Sequence, residues 1–111
     1  MEELKLQIKD FIQQRDWSKF HDPKNLAMAL TVETGEILEI FQWKSSGVKL
    51  NPEEQQALAE EIGDVLIYLL ELADAYSIDI IEAAKQKMAL NKQKYPADRV
   101  RGKSKKYLEY D

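Results

Sequence analysis

Cysteine is absent from the 111 residues, which excludes a disulfide framework, a thiolate nucleophile and any cysteine-based metal site. Glycine and proline are scarce, with four and three residues, and no repeat or low-complexity tract interrupts the chain. That scarcity favours long helices. The alternating β-branched runs expected of strands are missing. No apolar run is long enough to span a bilayer, and no charged-then-apolar start resembles a signal peptide. With no cysteine to oxidise, these absences lead to the expectation of a cytoplasmic protein. Excess positive charge is lacking too. The net charge of −4 gives no general attraction to nucleic acid or anionic membrane. An anionic ligand would need a local positive feature or a metal. What remains is ordinary for a globular protein, 44% apolar and 32% charged, in a length that suits one domain with a modest core.

The apolar periodicity predicts an all-α fold of four main helices. The first spans roughly Glu3 to Gln14, with Leu4, Ile8, Phe11 and Ile12 on one stripe. A loop "RDWSKFHDPKN" follows, and Asp22-Pro23 reads as N-cap and first helical position. The second helix runs from Pro23 to about Trp43. The third runs from Pro52 to about Tyr76, behind Asn51, with Glu54 placed for a capping box. The fourth starts after Asp79, with Glu82 at the same box position, and ends near Lys94. On the third helix Ile62, Val65, Leu66, Ile67, Leu69, Leu70, Leu72 and Ala73 occupy almost the whole circumference. A helix apolar all round must be covered on all sides. Three neighbours in so short a chain hardly suffice, so a dimer or a dimer of dimers is expected, with this helix near the interface. Residues 1–96 form the expected domain. Residues 97–111 read as a basic, then aromatic and acidic tail, either solvated or packed on a neighbour.

Into these apolar helices the sequence places acids at three-residue steps: Glu33 and Glu36, then Glu61 and Asp64. Residues three apart share a helix face. If the second and third helices pack antiparallel, the two pairs face each other. Converging carboxylates repel, more so when buried, and either protons or a cation must relieve them. Hard oxygen ligands favour Mg²⁺, with Mn²⁺ as a substitute. Mg²⁺ also takes phosphate oxygens, which suits a phosphate-bearing substrate. Glu39, Glu53, Glu54 and Glu60 read as solvated acids. A ferritin-like di-iron bundle needs Glu-x-x-His pairs, and the single histidine, His21, lies outside both pairs. A glycine-rich phosphate loop is also missing.

The words "RDWSKFHDPKNLAMAL", "ETGEILEIFQWK", "EEIGDVLIYLLELA" and "KMALNKQKYP", spread from about Phe11 to Pro96, resemble the MazG-like nucleotide pyrophosphohydrolases of the all-α NTP pyrophosphatase superfamily. They are most similar to its dCTP pyrophosphatase branch. The resemblance implies cleavage of a nucleoside triphosphate between the α and β phosphates, giving monophosphate and pyrophosphate, in the service of nucleotide-pool sanitation. It implies Mg²⁺ held by Glu33, Glu36, Glu61 and Asp64, with one glutamate orienting or deprotonating the attacking water. It further implies Lys87 on phosphate, in the catalytic set, with Asn91 on phosphate or sugar and Lys94 as another phosphate ligand. Tyr68 would lie against the deoxyribose, crowding a 2′-hydroxyl. Trp17, His21 and Trp43 would form the base pocket. Subunits of the family often share a site, so Trp17 or the C-terminal arm could act in trans.

Each residue also has a plainer role open to it. Trp17 and Trp43 could be core or interface aromatics, His21 could bond a helix end, Lys87 could be solvated, and Tyr68 could pack at an interface. Hydrolysis of dUTP or phosphoribosyl-ATP is an alternative within the superfamily. A non-catalytic helical interaction module is the alternative outside it. Gly35 and Gly63 sit between the paired acids, each costing about 1 kcal/mol of helix propensity against alanine. A close neighbouring helix or phosphate would explain them.

Overall fold

The computed structural model describes residues 1–102. Every regular element among them is helical: α1 (Glu2–Gln14), a 3-10 turn (Ser18–Phe20), α2 (Pro23–Phe41), α3 (Pro52–Ala75), α4 (Ile80–Lys94) and α5 (Ala97–Val100). The chain divides into two compact units, one of residues Met1–Ser77 and one from Ile78 onward.

The helix starts follow from local chemistry. The Asp22 side chain accepts from the backbone N–H of Asn25 at 2.9 Å, with Pro23 in the first turn, where its missing N–H costs nothing. At α3 the capping box closes in both directions. Asn51 accepts from the Glu54 N–H at 2.8 Å, and Glu54 accepts from the Asn51 N–H at 2.9 Å. At α4 the Asp79 carboxylate takes two orphan donors, the N–H groups of Ile81 and Glu82. Three helix ends fall one or two residues from the positions expected. α1 begins at Glu2, α2 stops at Phe41 and α3 stops at Ala75. At the C-terminus of α3, Ser77 adopts a left-handed φ of 53°, and the N–H groups of Tyr76 and Ser77 close on the carbonyls of Ala73 and Asp74. Past Pro96, where the sequence pattern dissolves, the four-residue α5 forms. Tail residues 103–111 lie outside the described residues.

Within the first unit α2 and α3 form an antiparallel hairpin. Its open end pairs His21 with Glu71, its middle brings Glu33 to Glu61, and near the turn Lys44 meets Glu54. α1 lies against α3, where Lys9 approaches Asp74 at 3.9 Å. Leu26 of α2 and Leu70 of α3, 3% and 2% exposed, are the buried apolar centre among the described residues. Ile8 and Ile12 of α1 line a cavity with them. Apolar side chains also remain in the open: Met28, Val32 and Leu38 on α2, and Ile62 on α3, are each more than half exposed. Val65, Leu66, Leu69, Leu72 and Ala73 are half-buried.

Candidate functional site

The register of the hairpin turns two sequence periodicities into one site. Glu33 of α2 and Glu61 and Asp64 of α3 each offer a carboxylate oxygen, and the three oxygens lie within 4.8 Å of one another. Glu33 and Glu61 are half-buried and Asp64 is exposed. The inner oxygens, Oε2 of Glu33 and Oε2 of Glu61, are buried with no hydrogen-bond partner among the described residues. Buried acceptors without donors are rare, because each forfeits its water without compensation. Glu36 stands outside this trio. It borders a neighbouring recess with Glu39, Ile40, Ala57 and Glu61.

The electrostatics follow from this crowding. Glu61 is pushed up from its ordinary 4.5 to about 7, first by the adjoining Glu33 carboxyl, then by burial, then by Glu36. For Glu33 the carboxyl of Glu61 acts first and lowers the pKa. Burial and the charges of Glu36 and Asp64 outweigh it, so Glu33 also ends raised. Without a cation the cluster therefore retains a proton that an isolated pair of glutamates would lose. The donor set is all hard oxygen, converging, half-sunk in apolar helix and short of hydrogen bonds. That fits a divalent cation of the Mg²⁺ or Mn²⁺ type on chemical grounds.

Beside the cluster a cleft of about 370 Å³ opens between α1 and α3. Asp64 belongs to its lining, and so do Tyr68 and Glu71 from the following turns of α3. Phe11 of α1 and Trp17 of the loop supply aromatic surface, packed edge to face at 5.7 Å and 73°. His21 completes this end. Its Nδ1–H donates to Oε1 of Glu71 at 2.7 Å, and only 8% of the Glu71 side chain is exposed. The Tyr68 hydroxyl is raised in pKa by burial and then by the charges of Glu33, Glu71 and Asp64, so it stays a proton-bearing donor.

Of the residues singled out in the sequence, Glu33, Glu61 and Asp64 come together. Asp64, Tyr68, Trp17 and His21 share the cleft. Trp43, just past α2, is 90% exposed and is not in the cleft lining. Lys87 and Asn91 lie one turn apart on α4, in the second unit, with Lys94 at the end of that helix. Glu71 was not picked out by the sequence reading. Its signal was available: Glu61, Asp64, Tyr68 and Glu71, at steps of three, four and three, follow one face of α3. The close neighbouring helix that would explain Gly35 and Gly63 is not found among the described residues, since a Cβ at either position meets nothing within 4 Å.

An all-helical fold with a carboxylate cluster of metal-binding type beside an aromatic cleft defines the class. Residues 28–109 match the MazG-like family, and the chain belongs to it. Human dCTP pyrophosphatase 1 (Homo sapiens) is 42% identical over 113 residues, covering 98% of this chain and 66% of its own length. The bovine protein of that name (Bos taurus) is 40% identical, covering 98% and 67%. This chain thus spans about two thirds of the length of these curated relatives. Among solved structures, a pyrophosphatase from Archaeoglobus fulgidus aligns with a TM-score of 0.75 and 46% identity, over 86% of this chain and 92% of that one.

Proposed function

We propose that the protein is a Mg²⁺-dependent nucleoside triphosphate pyrophosphohydrolase, acting best on dCTP or a modified dCTP and releasing monophosphate and pyrophosphate. The observation that carries this reading is the trio Glu33, Glu61 and Asp64, with two buried unpartnered oxygens, opening onto an aromatic cleft. The names of the human and archaeal relatives support the reaction class, and that of the human relative supports the base.

Glu33, Glu61 and Asp64 would hold the cation, with Glu36 alongside. When bound, it would polarise phosphoryl oxygens and neutralise their charge. Phosphoryl transfer asks a protein mainly for positioning and charge compensation, and this chain's residues divide that work. One glutamate of the cluster would accept the proton of the attacking water. Trp17 would offer its face to a base, and Trp43, which lies outside this cleft, would stack on it only from a second subunit. Tyr68, one turn beyond Asp64, would lie along the sugar and disfavour a 2′-hydroxyl. Lys87, Asn91 and Lys94 would carry the polyphosphate. The exposed apolar faces of α2 and α3 support assembly as a dimer or dimer of dimers, which would cover Met28, Val32 and Ile62.

Product analysis by phosphorus NMR tests the reading. The protein is incubated with dNTPs, NTPs and modified dCTPs, first with Mg²⁺ and then with EDTA. Monophosphate plus pyrophosphate, dependent on metal and fastest with dCTP, is the expected result. Diphosphate plus phosphate would place the cleavage elsewhere. A dUTP optimum would move the protein to another activity of the superfamily.

A further inference from the structure

We propose that Glu71 is a specificity-determining residue that reads the exocyclic amino group of the nucleobase, selecting cytosine over uracil or thymine. The inference rests on the proposed nucleotide-binding role of the cleft and assigns a task to a residue outside the acid cluster and the aromatic walls.

Glu71 is an acid that the chemistry at the cluster does not use. It is seven residues beyond Asp64 on the same helix, about 10.5 Å along the axis at 1.5 Å per residue. Tyr68 lies between them. A nucleotide whose phosphates sit at Asp64 and whose sugar lies against Tyr68 therefore brings its base to Glu71. There the side walls are Phe11 and Trp17. Aromatic faces stack on any base and discriminate little. Choice among bases must come from polar atoms at the edge of the ring. Apart from Asp64 and Tyr68, the polar side chains of the lining are Gln7, His21 and Glu71.

Of these, Glu71 is the one held in place. The His21 Nδ1–H occupies one side of Oε1 at 2.7 Å. A carboxylate has about four lone-pair sites, and no second donor among the described residues is seen to take those of Oε2. At 8% exposure, the carboxylate can meet little water except through the cleft and the cavity that adjoins it. A cytosine N4 amino group supplies the missing proton, as carboxylates do accept from that group. Uracil and thymine present a carbonyl oxygen at the same ring position. Two acceptors would then face each other with no proton between them, both desolvated, which is the kind of mismatch that yields large discrimination. His21 is a positioning residue in this scheme, fixing the Glu71 rotamer from behind. The pair also borders the adjoining cavity of about 260 Å³, so neither partner is locked by close packing on that side, and the hydrogen bond must hold the geometry.

The test reads binding separately from turnover. Trp17 lines the cleft, so tryptophan fluorescence, confirmed by calorimetry, can follow titration with dCMP and dUMP. Wild type and Glu71→Gln are compared, with folding checked by circular dichroism. Wild type should favour dCMP by about tenfold or more. Glu71→Gln, isosteric but carrying an amide that can donate to a carbonyl, should lose on dCMP and gain on dUMP, so that the ratio falls about tenfold or more. Glu71→Asp keeps the acceptor and should retain part of the preference, which guards against a Gln variant that merely loosens the loop. Equal effects of Glu71→Gln on both nucleotides, or no wild-type preference for dCMP, would overturn the assignment. The dCTP to dUTP ratio of kcat/KM should move in parallel. If wild type binds dCMP selectively and Glu71→Gln removes that preference, yet no triphosphate is cleaved, the proposed activity fails and the reading of Glu71 stands.

Discussion

Glu54 and Glu61 are the same residue type on the same helix, seven positions and so nearly two turns apart, yet their environments oppose each other. Glu54 meets cationic and donor groups. Lys44 pairs with it, the Asn51 N–H donates to it, and its pKa is lowered by those two partners in that order. Glu61 meets Glu33, burial and Glu36, and is pushed up to about 7. One acid completes a structure that needs nothing further. The other belongs to an arrangement that is electrostatically unfinished among the described residues. Helix propensity cannot explain the difference, because both sites are helical and glutamate is a good helix former. What separates them is what the neighbouring segment delivers: a lysine at the hairpin turn, and a second acidic pair at its middle. An incomplete cluster kept inside a folded helix pair is a signature of a ligand.

Substitution at the two positions should expose the contrast most strongly in turnover. Glu61→Gln and Asp64→Asn remove charge from the cluster at little cost in volume. They are expected to lower kcat on dCTP by on the order of 100-fold or more, while far-UV circular dichroism stays unchanged. Glu54→Gln should leave kcat within about twofold and lose stability instead, through its cap and its ion pair. Equal kinetic damage from Glu54→Gln and Glu61→Gln would erase the distinction between the two acids.

Stability against pH should separate them next. Folding raises the pKa of Glu61, so between about pH 4.5 and 7 the folded state binds more protons than the unfolded one. Metal-free stability must therefore fall as pH rises through that window and level off above it. Glu33, also raised, adds in the same direction. Glu54 has the opposite sign: its lowered pKa contributes stability above its ordinary value, lost as pH falls through the folded one. Thermal melts in EDTA from pH 4 to 8 should show the decline toward neutrality, and Glu61→Gln should flatten it. Adding Mg²⁺ at pH 8 should recover about 2.7 kcal/mol at a hundredfold excess over Kd, and much less at pH 5, where protons compete for the same oxygens. A metal-free protein that gains stability between pH 5 and 7 would contradict the repulsion assigned to the cluster.

Much of this contrast was legible in the sequence. The all-helical class and the starts at Pro23, Pro52 and Ile80 followed from Asp22, Asn51 and Asp79, whose capping chemistry is local and so readable in a short window. The facing of Glu33 on Glu61 and Asp64 needed one further assumption, that α2 and α3 pair antiparallel. Helix ends were harder. The stop of α2 at Phe41 and not Trp43 leaves no strong local mark, since Gln42 and Trp43 are acceptable helix residues. The spacing along α3 puts Glu71 on the face of Glu61, Asp64 and Tyr68, but its hydrogen bond to His21, fifty residues away, is beyond any spacing rule. The distinction between Trp17, which lines the cleft, and Trp43, 90% exposed, was hidden for the same reason. Both look alike as aromatic residues beside a helix end.

The smallest effect concerns the glycines that interrupt the acidic pairs. A helix-interior glycine costs about 1 kcal/mol against alanine, and a Cβ at Gly63 would meet nothing within 4 Å. Judged on the single chain, Gly63→Ala should therefore stabilise by up to about 1 kcal/mol, and chemical denaturation at low protein concentration would read it. Gly63 also stands between Glu61 and Asp64, where triphosphate must approach if the cluster holds the cation. The same variant should then raise KM for dCTP while stability rises. The two readouts moving in opposite senses would mean that the open space beside the cluster is reserved for ligand, in contrast to the turn end of α3, where Asn51, Glu54 and Lys44 already satisfy one another. A Gly63→Ala protein that is more stable and equally active would show that the glycine has no such task, and that the unfinished part of the site ends at the carboxylates themselves.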